Sequence, residues 1–462
     1  MSGTSKAAGR ISSLLDDSSF AEIGALVTAR STDLSTNPKL LASDGCITGY
    51  GTIGGKVVYV YSQDASVLGG SIGEMHARKI VNLYDMAIKT ASPVIGIIDC
   101  SGMRLEEGSD ALYAFGRIYG RMTKASGLIP QITAVVGNCG GGAGLFSGLS
   151  DFTFISKDGK LFVNAPDAIS GNYTAKNDTA GAAYQSEVTG NAESFETEGD
   201  LFAAIRNLVS VLPSNNEDFD DEETTDDLNR KLAVTSPSNA AVLIENIGDA
   251  GSFIEVRPSY AKCVVTAFVK INGVLTGVIA NNSEKTDKDG KAVKLDNVIC
   301  ADGCDKAADF VKFCDAFGIQ ILTLTNIKGF KNSIESENRI ARSAASLAAA
   351  FASATVSKVN VITGDAIGNA ANIMNAKSLG CDMTISWNNA RVGIMDPKLA
   401  SQITGADAKA IEASLAGASD AARRGYVDQV IDPADTRKYV VAAFEMLYSK
   451  GSDELYKKHT SV

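Results

Sequence analysis

Ile97-Ile-Asp-Cys-Ser-Gly-Met-Arg104 and, 35 positions after its glycine, Gly137-Asn-Cys-Gly-Gly-Gly-Ala-Gly144 decide how this chain folds, because both recur. In the second half, Leu324-Thr-Asn-Ile-Lys-Gly-Phe-Lys331 is followed at the same spacing from Gly329 by Gly364-Asp-Ala-Ile-Gly-Asn-Ala-Ala371. One offset of 227 relates Asp99 to Asn326, Gly102 to Gly329 and Gly142 to Asn369. With small changes of offset, Ser19-Phe-Ala-Glu22 matches Ser252-Phe-Ile-Glu255, and Asp151-Phe-Thr-Phe matches Asp382-Met-Thr-Ile. Agreement spread this widely marks an internal duplication.

Between the copies, residues 215–231 form a dense acidic run with one aromatic and no amphipathic pattern, the composition of a linker. The expected organisation is therefore a domain over 1–214, an acidic linker over 215–231 and a second domain over 232–462. In each half, short apolar runs such as Val94 to Ile98 and Ile319 to Thr325 read as buried strands. The segments between them read as helices: Gly73 to Thr90, Asp110 to Ala125, Lys306 to Ala316 and Glu335 to Ala354. Alternation of this kind favours parallel βαβ units. The first β-rich portions, Cys46 to Asp64 and Cys263 to Asn282, read instead as hairpins. Gly49-Tyr-Gly-Thr-Ile-Gly54 matches a dinucleotide-binding pattern but runs into a strand where that fingerprint requires a helix, so it reads as a hairpin turn.

A chain of 462 residues exceeds one ordinary core, and a net charge of -11 supplies no positive field for nucleic acid. No apolar run approaches the roughly 20 residues that span a bilayer, and the N-terminus lacks the apolar stretch of a signal peptide, so a cytoplasmic location is expected. The eight cysteines are scattered, Cys300 and Cys304 being the only pair close in sequence, and two histidines cannot complete a Cys/His zinc site. No metal is expected, and the cysteines read as reduced, mostly buried small hydrophobes.

The two glycine loops of each half fall at the ends of expected strands and just before expected helices, where open α/β sheets expose N–H groups to ligands. In the first half they can aim two backbone N–H groups at one carbonyl oxygen, with a helix from about Ala143 adding its N-terminal partial charge. Tight turns and close helix packing would also explain such glycines. Side-chain catalysts are scarce. His76 has no nucleophile or acid at a useful spacing, His459 lies at the extreme C-terminus, and Cys100 and Cys139 flank the loops without a partner base. These features suit an enzyme that stabilises an oxyanion and needs no resident nucleophile.

At these loops the chain resembles the carboxyltransferase subunits of biotin-dependent acyl-CoA carboxylases, transcarboxylase and the acyl-CoA decarboxylases, over nearly its whole length. Asp99-Cys-Ser-Gly-Met-Arg-Leu-Glu-Glu-Gly108 resembles the family's Asp-Ser-Gly-Gly-Ala-Arg-Ile-Gln-Glu-Gly. Gly69 to Ile80 is similar to its signature before the first long helix, and Gly137 to Asp151 to its Gly-Pro-Cys-Ala-Gly-Gly-Ala loop. The resemblance implies an α/β fold of two tandem crotonase-like domains, with acyl-CoA on the N-terminal side and biotin on the C-terminal side. It implies that the N–H groups of Met103 and Gly142 hold a thioester oxygen, with Gly102 and Gly141 shaping the hole. It likewise places Phe330 and Asn369, with Gly329 and Gly368, around the ureido oxygen of biotin. The implied partners are a biotin carrier protein and a biotin carboxylase or membrane decarboxylase subunit as separate chains, and further copies of this chain in a homo-oligomer, a hexamer. The second half departs from the family: Val-Pro-Gly-Phe is replaced by Ile327-Lys-Gly-Phe330, and Tyr-Gly-Gly-Ala by Ile367-Gly-Asn-Ala370. Two other readings stay open. One is a crotonase-like hydratase or isomerase using Glu106 or Glu107 as acid or base, and the other a non-catalytic structural paralogue.

Overall fold

The structure, a computed structural model, describes residues 5–32, 34, 43–218, 223–286, 290–413 and 415–451. It divides into two compact units, with the boundary after Asp218. In the first, the sheet runs Ala21–Ile23, Cys46–Ile53, Lys56–Gln63, Val94–Cys100, Gln131–Gly140, Phe152–Ser156 and Glu193–Phe195, with Lys160–Phe162 beside the end of Gln131–Gly140. In the second, Ile254–Val256, Val264–Ile271, Val274–Asn281, Gln320–Ile327 and Lys358–Ile367 lie in the same order, and both Met383–Trp387 and Arg391–Gly393 pair with the last of these. The expected hairpins are present as the antiparallel pairs Cys46–Ile53 with Lys56–Gln63 and Val264–Ile271 with Val274–Asn281. Gly54 and Gly55 turn the first with φ of +56° and +82°, the double positive φ that a two-residue hairpin turn demands.

Beyond each hairpin the pairing becomes parallel, and helices supply the crossovers that parallel strands require. Glu74–Lys89 and Ser109–Ala125 do so in the first unit, Ala301–Ala316 and Ile340–Ser353 in the second. The strands read as continuous apolar runs because both faces are covered: Val94 to Ile98 are all buried. Against them pack the helix faces carrying Ile80, Leu83 and Tyr84, and Phe115, Ile118 and Met122.

Two expected helices differ from their reading. The second unit's first crossover begins at Ala301, five residues before the expected start, because the Cys300 thiol caps it by accepting from the Gly303 N–H. The expected Glu335–Ala354 helix is broken into Ile334–Glu337 and Ile340–Ser353, with Arg339 outside helical geometry at φ -132° and ψ -17°. The Arg339 guanidinium is held by Asp302 and Asp305, at 2.9 and 2.6 Å.

The described ends of the acidic run are fastened down. Asn215 donates to the Ala91 carbonyl at 3.1 Å in the first unit. Asp226 accepts from Arg230 and from the Ala250 N–H and forms an ion pair with Arg437 at 3.5 Å in the second. Arg437, wholly buried, also pairs with Asp249 at 2.6 Å, so the acidity around Asp226 partly answers a buried cation. Residues 219–222 lie outside the described residues.

Candidate active site

The parallel register slips by two residues at the same place in both units, between Ile98 and Cys100 and between Thr325 and Ile327. The residues at the slips, Asp99 and Asn326, lie over Gly137 and Gly364. A Cβ on Gly137 would overlap the Asp99 carboxylate, and one on Gly364 would come within 2.5 Å of Asn326 Oδ1. The 35-residue spacing is thus a contact: a polar side chain at the end of one strand fills the space a glycine leaves on the next. Each bulge re-aims the chain into a loop.

In the first unit that loop is held by a single parallel bridge between Ile72 and Met103. The Ile72 N–H donates to Gly102 O at 2.9 Å, and the Arg104 N–H donates to Ile72 O at 3.0 Å. In a parallel bridge the residue between the two bonds turns its own N–H to the opposite side, so the Met103 N–H is free of this ladder. Gly142 lies in the first turn of the 3-10 helix Gly141–Leu145, where an N–H has no intrahelical acceptor. The loops are adjacent. Cys100 and Cys139 are register partners, and a Cβ on Gly102 would lie 3.3 Å from the Gly140 carbonyl. Gly102 and Gly141, at φ +113° and +60°, adopt conformations that side chains resist. The helix expected from Ala143 is only this 3-10 turn followed by Phe146–Leu149. The macrodipole term is correspondingly small, and the local N–H groups carry the polarity.

What holds the two loops is a pair of devices that the sequence left unseen. Arg104, 2% exposed, donates to Glu107 Oε1 at 2.9 Å, to Ser71 O at 2.7 Å and to the Asp44 carboxylate, whose pKa burial pushes up despite this guanidinium. Glu107 Oε2 accepts from the Glu74 N–H at 2.6 Å and so caps the helix Glu74–Lys89. On the other loop, Tyr119 Oη donates to Gly142 O at 2.8 Å, and Phe115, Tyr119 and Phe146 form a ring cluster beneath it. Phe115 and Tyr119 stand four apart on one helix and so share a face. Only their contact with a loop 23 residues away was illegible.

The second unit repeats the geometry. Ile299 bridges Phe330 as Ile72 bridges Met103: the Ile299 N–H donates to Gly329 O at 3.1 Å, and the Lys331 N–H to Ile299 O at 2.8 Å. Gly368 has φ +66°, matching Gly141, and Asn369 occupies the first turn of the helix Gly368–Asn372, its N–H lacking an intrahelical acceptor. The Asn369 side chain is exposed, and its Oδ1 accepts from Asn372 Nδ2 at 3.1 Å. A cavity of about 1140 Å³ opens here, with Gly368, Asn369, Thr384, Ile394 and Tyr426 among its walls. Lys328, one of the departures, reaches Asp365 at 3.8 Å, and Asp365 also pairs with Arg391 at 2.8 Å.

The titratable side chains near the loops are structural. His76 is wholly buried, its Nε2 accepting from Gln63 Nε2 at 3.1 Å and its Nδ1 donating to Asp44 O at 3.0 Å, the tautomer this network requires. Burial, followed by the charge of Arg104, drives its pKa down to about 3, so it is neutral and already satisfied. His76→Gln is expected to cost about 1–3 kcal/mol of stability through unmade buried hydrogen bonds. The folded fraction should keep turnover of wild-type order, which steady-state kinetics referenced to folded protein would check. Burial pushes the Cys100 thiol up to about 11 and the Cys139 thiol further, so neither is a nucleophile. Glu106 is exposed, while both Glu107 oxygens are committed to Arg104 and the helix cap. His459 lies outside the described residues.

The family model described as the carboxyl transferase domain matches residues 2–462. A propionyl-CoA carboxylase beta chain from Roseobacter denitrificans is 36% identical over 98% of this chain and 92% of its own length. The methylmalonyl-CoA decarboxylase subunit alpha of Veillonella parvula is also 36% identical, with the same coverage of both chains. Among solved structures, the hexameric transcarboxylase 12S core with hydrolysed methylmalonyl-coenzyme A bound superposes with a TM-score of 0.90 at 31% identity, covering 98% of this chain and 91% of its own. Among the described residues, no helix is long and apolar enough to cross a membrane.

Proposed function

Because the chain belongs to the carboxyl transferase domain family, we propose that it moves a carboxyl group between biotin on a separate carrier protein and the α-carbon of a short acyl-CoA. The observation that carries this reading is the duplicated hole. Two loops in each unit present N–H groups without protein acceptors, at Met103 and Gly142 and again at Phe330 and Asn369. One reaction that develops negative charge on two different oxygens needs two such sites, and a thioester enolate and a biotin ureido anion are such a pair.

The Met103 and Gly142 N–H groups hold the thioester oxygen and stabilise it most as the enolate forms, which lowers the barrier to gaining or losing the α-carboxyl group. The Phe330 and Asn369 N–H groups take the ureido oxygen, and the cavity beside Asn369 has the size of a small-molecule site with few polar groups converging on it. Bound biotin supplies the carboxyl carrier and the base for the α-proton, so a first hole with no poised His or Glu among the described residues is consistent with the chemistry. By the same reasoning the hydratase reading loses Glu107, which is buried in an ion pair and a cap, and keeps only the exposed Glu106. Carboxylation and decarboxylation are one path in two directions, in keeping with relatives that carry both names. We further propose a homo-oligomer like that of the transcarboxylase core, working with separate carrier and carboxylase or membrane decarboxylase chains.

The test is decarboxylation of malonyl- or methylmalonyl-CoA by the purified chain with free biotin or biotinylated carrier added, in wild type and Asn369→Gly. Both are expected to be active to the same order, because Asn369 has an ordinary φ and its backbone N–H survives the change. No biotin-dependent activity in either protein would support the structural-paralogue reading. Activity that collapses only in Asn369→Gly would assign the role to the side-chain amide.

A further inference from the structure

We propose that Cys263 and Cys300 form a reversible intramolecular disulfide that acts on the biotin-side hole. Their sulfurs lie 3.4 Å apart although the residues are 37 positions apart in sequence. Both are partly accessible, whereas the other six cysteines are buried. The close approach is built in. A Cβ on Gly303 would lie 2.7 Å from Cys263 Sγ, so this glycine makes the room that the second sulfur occupies. Cys300 is the N-cap of the 16-residue helix Ala301–Ala316, and its Sγ accepts from the Gly303 N–H at 3.4 Å. A helix N-terminus favours a thiolate. The Cys300 pKa is lowered, first by its hydrogen bond with Cys263, while the buried thiols Cys46, Cys100, Cys139, Cys304, Cys314 and Cys381 are all raised by burial.

With a peroxide as oxidant, the Cys300 thiolate attacks one peroxide oxygen, breaking the O–O bond and giving a sulfenic acid and hydroxide. The Cys263 sulfur then displaces that hydroxyl group to form the S–S bond. Two thiols and one hydrogen peroxide yield one disulfide and two waters, and a dithiol reverses the step by exchange. An S–S bond is about 2.05 Å long, so closure draws the sulfurs together by more than an ångström. Cys300 directly follows Ile299, whose N–H and C=O bracket Phe330 through Gly329 and Lys331. Movement of Cys300 is thereby passed to the loop that aims the Phe330 N–H. This consequence for activity rests on the function proposed above, whereas the disulfide itself does not.

The experiment exposes the native protein to a small excess of hydrogen peroxide, quenches it, alkylates free thiols and maps peptides. The expected result is loss of two of the eight thiols, with the Cys263 and Cys300 peptides joined within one chain and released by dithiothreitol. In Cys263→Ser no link forms, and dimedone traps a sulfenic acid at Cys300. Oxidation should lower carboxyl transfer at least tenfold in wild type, reversibly, and leave Cys263→Ser active. Retention of all eight thiols, or a link between other cysteines, overturns the site. Full activity in the linked protein overturns its coupling to Phe330. If the protein has no carboxyltransferase activity in any state, the peptide map still decides the disulfide.

Discussion

Gly142→Pro is expected to leave a folded protein that binds acyl-CoA but has lost nearly all turnover. Proline removes the N–H assigned to the thioester oxygen, and the loss of one preorganised oxyanion donor costs about 2.7–4 kcal/mol, or roughly 10²–10³ in kcat. Sterics add to this, since any Cβ at position 142 meets Tyr119 Oη at 2.8 Å and the Phe115 ring at 3.0 Å. The two causes separate by comparison with Gly142→Ala, which keeps the donor. In a Tyr119→Phe background, which relieves the closer contact, Gly142→Ala should regain activity and Gly142→Pro should not. The measurements are kcat for decarboxylation and acyl-CoA affinity by calorimetry. A proline variant turning over at the wild-type rate would remove Gly142 from the hole.

Arg104→Met should produce the largest loss of stability of any single change near the site. The guanidinium is 2% exposed and is the cation between Asp44 and Glu107, themselves 0% and 6% exposed. Removing one partner from such a buried cluster costs about 3–5 kcal/mol because the remaining charges are left unpaired. At about 2–4 °C per kcal/mol for a unit of this size, the melting point should fall by roughly 6–20 °C. The same change frees Ser71 and the Glu107 cap, both of which hold the Met103 loop in place. Turnover should therefore fall even at temperatures where the variant is folded. Differential scanning calorimetry and kinetics on one preparation test both parts, and an unchanged melting point would show that the cluster does not hold the loop.

Much of the fold was legible because its signals are local. Continuous apolar runs announce strands buried on both faces, helix-length segments between them announce parallel crossovers, and glycines at strand ends announce turns. The repeat added a long-range fact to these local ones: two glycine loops that recur at one spacing must meet in space in the same way twice. The strands that carry the loops pair at their ends in the same way in both units, Cys100 with Cys139 and Ile327 with Ala366. Helix boundaries were less legible. A cysteine is an unusual cap, so Ala301 was missed as a start, and the break at Arg339 depends on carboxylates from another helix.

The sequence by itself determined the duplication, the alternation of strand and helix, the positions of both pairs of loops and the family they resemble, because each is written in periodicity, glycine placement or spacing. Only the tertiary structure decided what each polar side chain does. Arg104 reaches Asp44 from 60 positions away, and Arg10 reaches Asp99 from 89 and Glu198 from 188. Tyr119 anchors Gly142, and Cys263 meets Cys300. No local pattern encodes such pairs. Their partners are brought together only when the sheet and its covering helices close, and burial then turns a distant charge or thiol into the strongest influence on its neighbour.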